Sequence, residues 1–307
     1  MKEEKLKKEK TKKEKAVKTD KEKSKTTKMT EEQQFLANYS LEDYDRPSVT
    51  TDVVAFSMRN IEDENYRKEM KESFLSILLI KRGEHPFKNQ WALPGGFVHM
   101  DESLEECALR ELKEETGITP VSILPVGPFS ECNRDPRGRI ISMVYSTIIT
   151  EKDACAISGE DAIDAKWFKL NYVQNEEGNY VLTLQHDDVV LKAVLKETSR
   201  RFGRPQFEVI DSGELAFDHA VIIATAMTEL RQQAKGFDVI FDFLPKKFTL
   251  ISLRSVQETI LNETILQANF RRKVSRYVQE TEEYETGAGH RPAKLFIRRE
   301  EVAEDEE

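Results

Sequence analysis

The 307-residue chain is short of several things. It has no run approaching the ~20 apolar residues that cross a bilayer, so a helical membrane protein is not expected. Its first residues are rich in Lys but lack the apolar core of a secretory signal. It has three Cys, at 107, 132 and 155. That is an odd number without the paired spacing of a zinc ribbon, so neither a disulfide framework nor a zinc site is expected. A reducing cytoplasm is the expected location. No repeat of fixed period is visible, and hydrophobic residues make up only 38%, partly because of a highly charged tail.

Charge is abundant and uneven. The chain carries 47 Lys+Arg against 56 Asp+Glu, a formal net of −9. Residues 1–29 hold thirteen Lys and six acids, a net of +7. Residues 245–299 hold eleven Lys/Arg and six acids, a net of +5. A basic tail, an acidic body and a basic C-terminal block on one chain argue for more than one domain. The Lys/Glu/Thr composition of 1–28 cannot offset its ordering entropy, which predicts disorder or a fraying helix. Such a segment serves as an arm for an anionic surface or as a solubilising tail.

Element patterns begin near Tyr39. Val53–Met58 and Leu75–Ile80 read as strands, and Trp91–Val98 as a short strand broken by Pro94, Gly95 and Gly96. Ser103–Thr116 reads as a helix, with Ser103 and Glu106 as a capping box and Gly117 as its C-cap. Val121–Val126, Ile140–Ile149, Lys166–Leu170, Tyr180–Leu184 and Phe207–Asp211 read as strands. Asp188–Lys196 leans the same way, and Phe217–Lys235 is a long helix. Beyond Gly236, helix Ser252–Leu261, a turn at 262–264, helix Ile265–Val278, a hairpin at 281–291 and strand Ala293–Ile297 follow the order of a winged helix-turn-helix. The expected segments are a tail (1–38), a larger domain (39–235), a winged helix (236–299) and an acidic tail (300–307).

The helix at 103–116 carries the chemistry. Glu111, Glu114 and Glu115 lie at i, i+3 and i+4 and share one face, where they repel one another. Arg110, four residues before Glu114, is the cation placed to offset them. A hard divalent cation such as Mg²⁺ would resolve the repulsion, since it joins one or two carboxylates to substrate phosphates. In Ile265–Val278 the apolar residues Leu266, Phe270, Val274 and Val278 recur every four positions. Arg272, Lys273 and Arg276 fall off that stripe and Arg271 lies at its edge, the pattern of a recognition helix for double-stranded DNA. Arg291, Lys294, Arg298 and Arg299 would add phosphate contacts from the wing. The other reading is a packing or oligomerisation module with solvated cations.

Gly96, then Glu102, then Arg110-Glu111-Leu112, Glu114-Glu115 and Gly117-Ile118 resemble the Nudix box, the signature of the Nudix hydrolase superfamily, at every fixed position. The resemblance implies an α+β fold, an α/β/α sandwich, whose box helix carries a Mg²⁺ or Mn²⁺ site. It implies Glu111, Glu114 and Glu115 as ligands with the Gly95 carbonyl as a further one. Arg110 would orient a glutamate, and Glu102 would hold the loop to the helix. The implied reaction cleaves a pyrophosphate bond in a nucleoside diphosphate linked to another moiety. The general base is not named by the box; Glu160 and Asp161 are candidates, with Glu115 a competitor.

Trp91–Val98, Asp135–Arg139 and Asp161–Phe168 resemble Nudix enzymes acting on ADP-ribose. With Leu215–Ala220, Phe248–Leu250, Asn269–Lys273 and Arg291–Ala293 they resemble the branch fused to a winged helix, which includes ADP-ribose pyrophosphatases and repressors of NAD metabolism. That implies hydrolysis of ADP-ribose to AMP and ribose 5-phosphate, or ADP-ribose-sensing regulation at DNA, and a homodimer. Arg137 and Arg139 are candidates to grip phosphate or ribose, or else are hairpin cations. Trp167 is expected in the core, His219 as a local hydrogen-bonding residue at the helix start rather than a ligand or catalyst, and the three Cys as core fillers.

Overall fold

The computed structural model describes residues 29–60, 73–120, 122–154, 164–201, 203–285 and 292–299. Cys155, Glu160, Asp161 and Arg291 therefore lie outside the described residues, as does the tail at 1–28. The chain divides into two compact units, 1–46 and 47–307.

In the first unit, Thr30 caps helix α1 (Glu31–Asn38). Its side chain accepts from the Gln33 amide, and the Gln33 side chain accepts from the Thr30 amide, a reciprocal capping box. The expected tail at 1–38 thus ends in a capped helix.

The second unit is built around β1 (Ser48–Asn60). It runs antiparallel to β2 (Ser73–Lys81) and β4 (Gly95–Phe97) and parallel to β6 (Ile140–Ile148). Short β3 (Trp91–Ala92) pairs with β2. The sheet extends one way to β5 (Leu124–Phe129) and the other through β7 (Asp164–Gln174), β8 (Tyr180–His186) and β9 (Val189–Arg201) to β10 (Arg204–Asp211). Successive side chains of a strand point to opposite faces, and β1 shows the result. Val53 and Ala55 join Leu78, Tyr145 and Trp167 against Ala108 and Leu112 of α2 (Leu104–Thr116). Val54, Phe56 and Met58 face the other way, towards Ile223, Met227 and Leu230 of α3 (His219–Gly236). The sheet therefore lies between two helices, the expected α/β/α sandwich.

Local chemistry sets the ends of α2. Ser103 and Glu106 form the expected capping box. Gly117 closes the helix at φ 72°, where its amide returns to the Lys113 carbonyl. The strand at 121–126 is found later, as β5, and Asp188–Lys196 resolves as the strand β9. The two edge strands of the sheet meet over α3. Arg204 on β10 donates to the Val126 carbonyl of β5 (2.6 Å) and pairs with Glu229 of α3 (2.7 Å).

The winged helix follows directly. A short turn, Ile240–Phe243, leads to α4 (Leu250–Leu261), a left-handed Asn262, and α5 (Gln267–Val274). Strands β11 (Val278–Glu285) and β12 (Ala293–Arg298) form the wing. Two details depart from the sequence reading. The second helix ends at Val274, and Val278 opens β11, pairing with Arg298. Leu266 is 71% exposed at the helix start, so the apolar stripe narrows to Phe270 and Val274. Cys107 is buried as expected, but Cys132 is exposed and fills no core.

One arginine joins α3, the sheet and the winged helix. Arg231 of α3 donates to the Ile260 carbonyl at the end of α4 (3.0 Å) and to the Tyr172 carbonyl of β7 (2.6 Å), and its guanidinium lies 5.2 Å from the Tyr172 ring centre. Arg231→Ala leaves both carbonyls short of a charged donor. It should lower the unfolding free energy in urea by about 3 kcal/mol, and Arg231→Lys should recover little because it cannot fork.

Candidate active site

The box assembles from one helix and the two short strands before it. Arg110 is its hub. The guanidinium takes both oxygens of Glu102 (2.9 and 2.7 Å), one oxygen each of Glu111 (2.7 Å) and Glu114 (3.0 Å), and the Phe97 carbonyl (3.2 Å). Glu102 also accepts from the His99 amide. These bonds hold its carboxyl well below the usual range, down to about 2, the Arg110 bond being the largest cause. Arg110 thus touches both Glu111 and Glu114, and Glu102 joins it to the loop at His99.

Glu115 is placed differently. It is half-buried and accepts from the Gly95 amide (2.9 Å). Burial pushes its carboxyl up to about 8, with the charges of Glu111 and Asp52 adding to the rise and Arg82 and the Gly95 amide opposing it. Gly95 meets the cluster through this amide and sits hard against β1, where a Cβ would lie 2.1 Å from the Thr51 carbonyl oxygen. At Gly96 a Cβ would meet the Glu111 carboxylate at 2.3 Å. Both positions need glycine so that β4 can lie on β1 and under the carboxylates.

Beside the carboxylates is a ladder of rings and guanidinium groups. Arg137 lies 5.0 Å from the Phe97 ring centre and 5.5 Å from that of Phe217, and Arg82 lies 4.8 Å from Phe217. Arg137 is also gripped by both oxygens of Asp135. Arg82 donates to the Pro86 carbonyl (2.8 Å). Arg137 is thus brought to the box by way of Phe97. Arg139 is not seen there; it donates to the Ser130 carbonyl and braces its own loop.

Behind the ladder is a buried polar group on the α3 side. Arg134 holds Asp218 in a two-bond fork (2.9 and 2.7 Å) and stands 3.6 Å from Asp52. Ser142 donates to Asp52. Burial pushes the Asp52 carboxyl up, against the pull of Ser142 and Arg134. Asp218 stands at the N-cap of α3, yet its side chain does not cap the helix. His219, also buried, accepts at Nδ1 from the Leu93 amide (2.9 Å), which leaves the ring hydrogen on Nε2. His219 is a hydrogen-bonding residue as expected, but not a local one: its partner is 126 positions away, brought close by the packing of α3 on the sheet. Trp167 is in the core, donating to the Ala154 carbonyl.

Sequence reasoning missed Asp52, Arg82, Phe97, Phe217 and Arg134. Asp52 could have been found as an acid at the entry of an apolar strand. The others carry no local signal, because their contacts join distant segments.

The second candidate surface is on α5 and, because the helix ends at Val274, the turn after it, which carries Arg276. Arg271, Arg272, Lys273 and Arg276 are all exposed, and Arg276 stacks on Tyr277 at 4.7 Å. The wing is less free than expected. Lys294 pairs with Glu280 (3.0 Å), and Arg298 turns back to Asp242 (3.8 Å) and the Phe241 ring.

Known proteins align with both halves. The NUDIX domain model matches residues 54–184, and the NrtR DNA-binding winged helix domain model matches 240–297. The chain is 31% identical over 273 residues to the ADPR responsive transcriptional repressor NtrR of Acinetobacter baylyi, covering 86% of this chain and 87% of that one. It belongs to the Nudix family, in the branch with an NrtR-type winged helix. A 95-residue stretch of this Nudix protein, 31% of the chain, is 47% identical to the ADP-ribose pyrophosphatase of Methanocaldococcus jannaschii, of which it covers 55%. The crystal structure of Shewanella oneidensis NrtR complexed with a 27mer DNA is similar at TM-score 0.54 and 27% identity, over 82% of this chain and 93% of that one.

The buried imidazole gives the Nudix protein a defined acid response. Burial lowers the His219 pKa from 6.5 to about 4. The unfolded chain therefore takes up a proton first, so the stability held by neutral His219 is complete above pH 6.5 and is lost as pH falls towards 4. His219→Asn removes that titration. The loss of unfolding free energy between pH 7 and pH 4 in urea titrations should be smaller in the variant, by up to about 3 kcal/mol.

Proposed function

We propose that this Nudix protein is a Mg²⁺- or Mn²⁺-dependent pyrophosphohydrolase whose substrate is ADP-ribose, giving AMP and ribose 5-phosphate. The observation that carries the reading is the complete box, with Glu111, Glu114 and Glu115 in one helical turn beside two glycines that admit no side chain. The chemistry of this donor set fits a hard cation, since it is all carboxylate oxygen. Among the described residues no three such groups are gathered as they stand; Arg110 holds one oxygen each of Glu111 and Glu114, and the Gly95 amide one of Glu115. Glu111, Glu114 and Glu115 would hold the cation, with the Gly95 carbonyl as a further ligand. When bound, it would neutralise the diphosphate and help activate a water.

The chain's own residues do the rest. Arg110 keeps Glu111 and Glu114 turned to one side, and Glu102 keeps Arg110 in place. Arg82 and Arg137 set positive charge beside the carboxylates, where a diphosphate would lie. The Phe97 and Phe217 rings keep both guanidinium groups extended. Water attacks one phosphorus, the bridging P–O bond breaks, and each product keeps one phosphate. The candidates Glu160 and Asp161 for proton removal lie outside the described residues, and Glu115 remains the described one. The names of the Acinetobacter and Methanocaldococcus relatives support ADP-ribose as the ligand.

A second reading is favoured by a separate observation. α3 begins at the site, where His219 holds Leu93, and ends against the winged helix. There Phe237 stacks on Tyr277 at 5.1 Å and lies 6.0 Å from Phe270 of α5. That supports an ADP-ribose-sensing DNA-binding regulator, with Arg271, Arg272, Lys273, Arg276 and Arg291 facing the duplex. The reading includes a homodimer in the cytoplasm. The two functions are compatible.

Glu115→Gln should lower ADP-ribose hydrolysis more than about a hundredfold while ADP-ribose binding, followed by calorimetry, persists in part. Wild-type protein with Mg²⁺ that leaves ADP-ribose and a panel of related diphosphates uncut would defeat the enzyme reading. For the regulator, Arg272→Ala combined with Arg276→Ala should weaken binding to the protein's own upstream DNA. It should also reduce the slope of log affinity against log salt by about 2. Absence of any specific mobility shift at low salt would count against it.

A further inference from the structure

The passage from β3 to β4 brings the chain to Glu115, and it is held from both sides. The Trp91 carbonyl accepts from the Ala216 amide (2.9 Å). The Leu93 amide donates to His219 Nδ1 (2.9 Å). The Pro94 carbonyl accepts from the Val53 amide (2.9 Å), and the Gly95 amide donates to Glu115 (2.9 Å). β1 thus gives one support, and the segment entering α3 gives two. The last amide of the passage goes to a box carboxylate.

The Leu93 support is unusual because its acceptor is a side chain. Leu93 and His219 are both buried, so an unpaired amide there would be costly. The other ring nitrogen, Nε2, faces Asp52, 3.6 Å from its Oδ1. Asp52 is held by Ser142, and Asp52 and Gly95 are partners across β1 and β4. There is no slack on the β1 side, where Gly95 already lies against Thr51. Without the His219 acceptor only the Pro94–Val53 bond remains between Leu93 and Gly95, so the Gly95 amide is less firmly set against Glu115.

We propose that His219 is a positioning residue for the reaction. It fixes Leu93, and through Leu93 the Gly95 amide, so that Glu115 keeps the orientation in which it joins Glu111 and Glu114 on a divalent cation. The imidazole touches neither cation nor substrate. The inference rests on the metal site of the proposed hydrolase. It also makes the first residue of α3 part of the site's geometry. A purely space-filling His219 would affect stability and leave the carboxylates unchanged.

The test uses the full chain and Mn²⁺ alone as probe, with affinity read by electron paramagnetic resonance. His219→Leu keeps the volume and removes the acceptor. His219→Asn keeps an acceptor near the position of Nδ1. Leu230→Ala, a cavity in the α3 core away from the box, serves as the destabilised control. His219→Leu should weaken Mn²⁺ binding about tenfold or more, as loss of a ligand-orienting partner does. His219→Asn should restore it to within about threefold, and Leu230→Ala should match wild type. In ADP-ribose hydrolysis, kcat should fall in His219→Leu with KM changed less than about twofold. Should the leucine variant not fold, His219→Phe, which keeps a ring and likewise removes the acceptor, takes its place in the same comparison. Mn²⁺ affinity within about twofold of wild type in the acceptor-less variant overturns the proposal. So does an equal loss in Leu230→Ala. Wild type that binds Mn²⁺ yet cuts no ADP-ribose would sink the hydrolase reading and His219's part in the reaction, while its link to the cation site is decided by the Mn²⁺ affinities alone. Wild type that binds no Mn²⁺ would sink both.

Discussion

Glu111, Glu114 and Glu115 lie within one turn of α2, and the residues around them are arranged by that repulsion. One guanidinium, Arg110, offsets two of the three and is itself held by Glu102. The third, Glu115, turns away from Arg110 to a backbone amide in a half-buried site. This division needs β4 close beneath the helix, which is why Gly95 and Gly96 have no room for a side chain. It also needs the passage before β4 to be fixed. That task falls to β1 on one side and to the start of α3 on the other. Geometry at the carboxylates is therefore underwritten by an element more than a hundred residues later in the chain.

α3 is shared between the two halves of the second unit. Its apolar face fills the side of the sheet opposite α2, and its far end packs on α4 and the aromatic residues of the winged helix. The edges of the sheet close over it through Arg204. α3 is buried along most of its length, with Gln232, Gln233 and Lys235 exposed near its end, and a closely packed helix moves as a body more readily than it bends locally. Its head contacts, Phe217 to the arginines, Asp218 to Arg134 and His219 to Leu93, are thus mechanically joined to its tail contacts with Tyr277 and Phe270.

The box was legible in the sequence because everything that defines it is local. Helical period, capping box and C-cap glycine all act within a few residues, and the structure keeps them at the expected positions. The winged helix was legible in order but not in extent. Leu266, Phe270, Val274 and Val278 keep a helical period, yet only the middle two are buried on the helix. Val278 is claimed by pairing with Arg298, and Leu266 lies outside the first turn, exposed. A four-residue period does not distinguish a long helix from a short one with a strand after it. Asp52, Arg82 and Phe217 were silent for another reason. Each acts through a partner brought close only by the fold, and sequence separation hides such contacts. The same holds for the wing cations, whose charge was countable but whose engagement with Glu280 and Asp242 was not.

On the proposed reading, catalysis and regulation share a single site, and that has a thermodynamic consequence. A ligand that lowers DNA affinity by some factor must itself bind the DNA-bound protein more weakly by the same factor. Hydrolysis removes the ligand, so turnover would return the protein to its DNA-binding state without any separate signal. The two roles then set limits on each other. A site that cuts quickly reports ligand only while supply outpaces turnover, and a site that cuts slowly reports its concentration directly. The contacts around Glu115 bear on that balance, since the Gly95 amide holds one oxygen of its carboxylate and so sets how the other is presented to a cation. With His219 at the head of α3, the residue that steadies this carboxylate also begins the helix that reaches the winged helix.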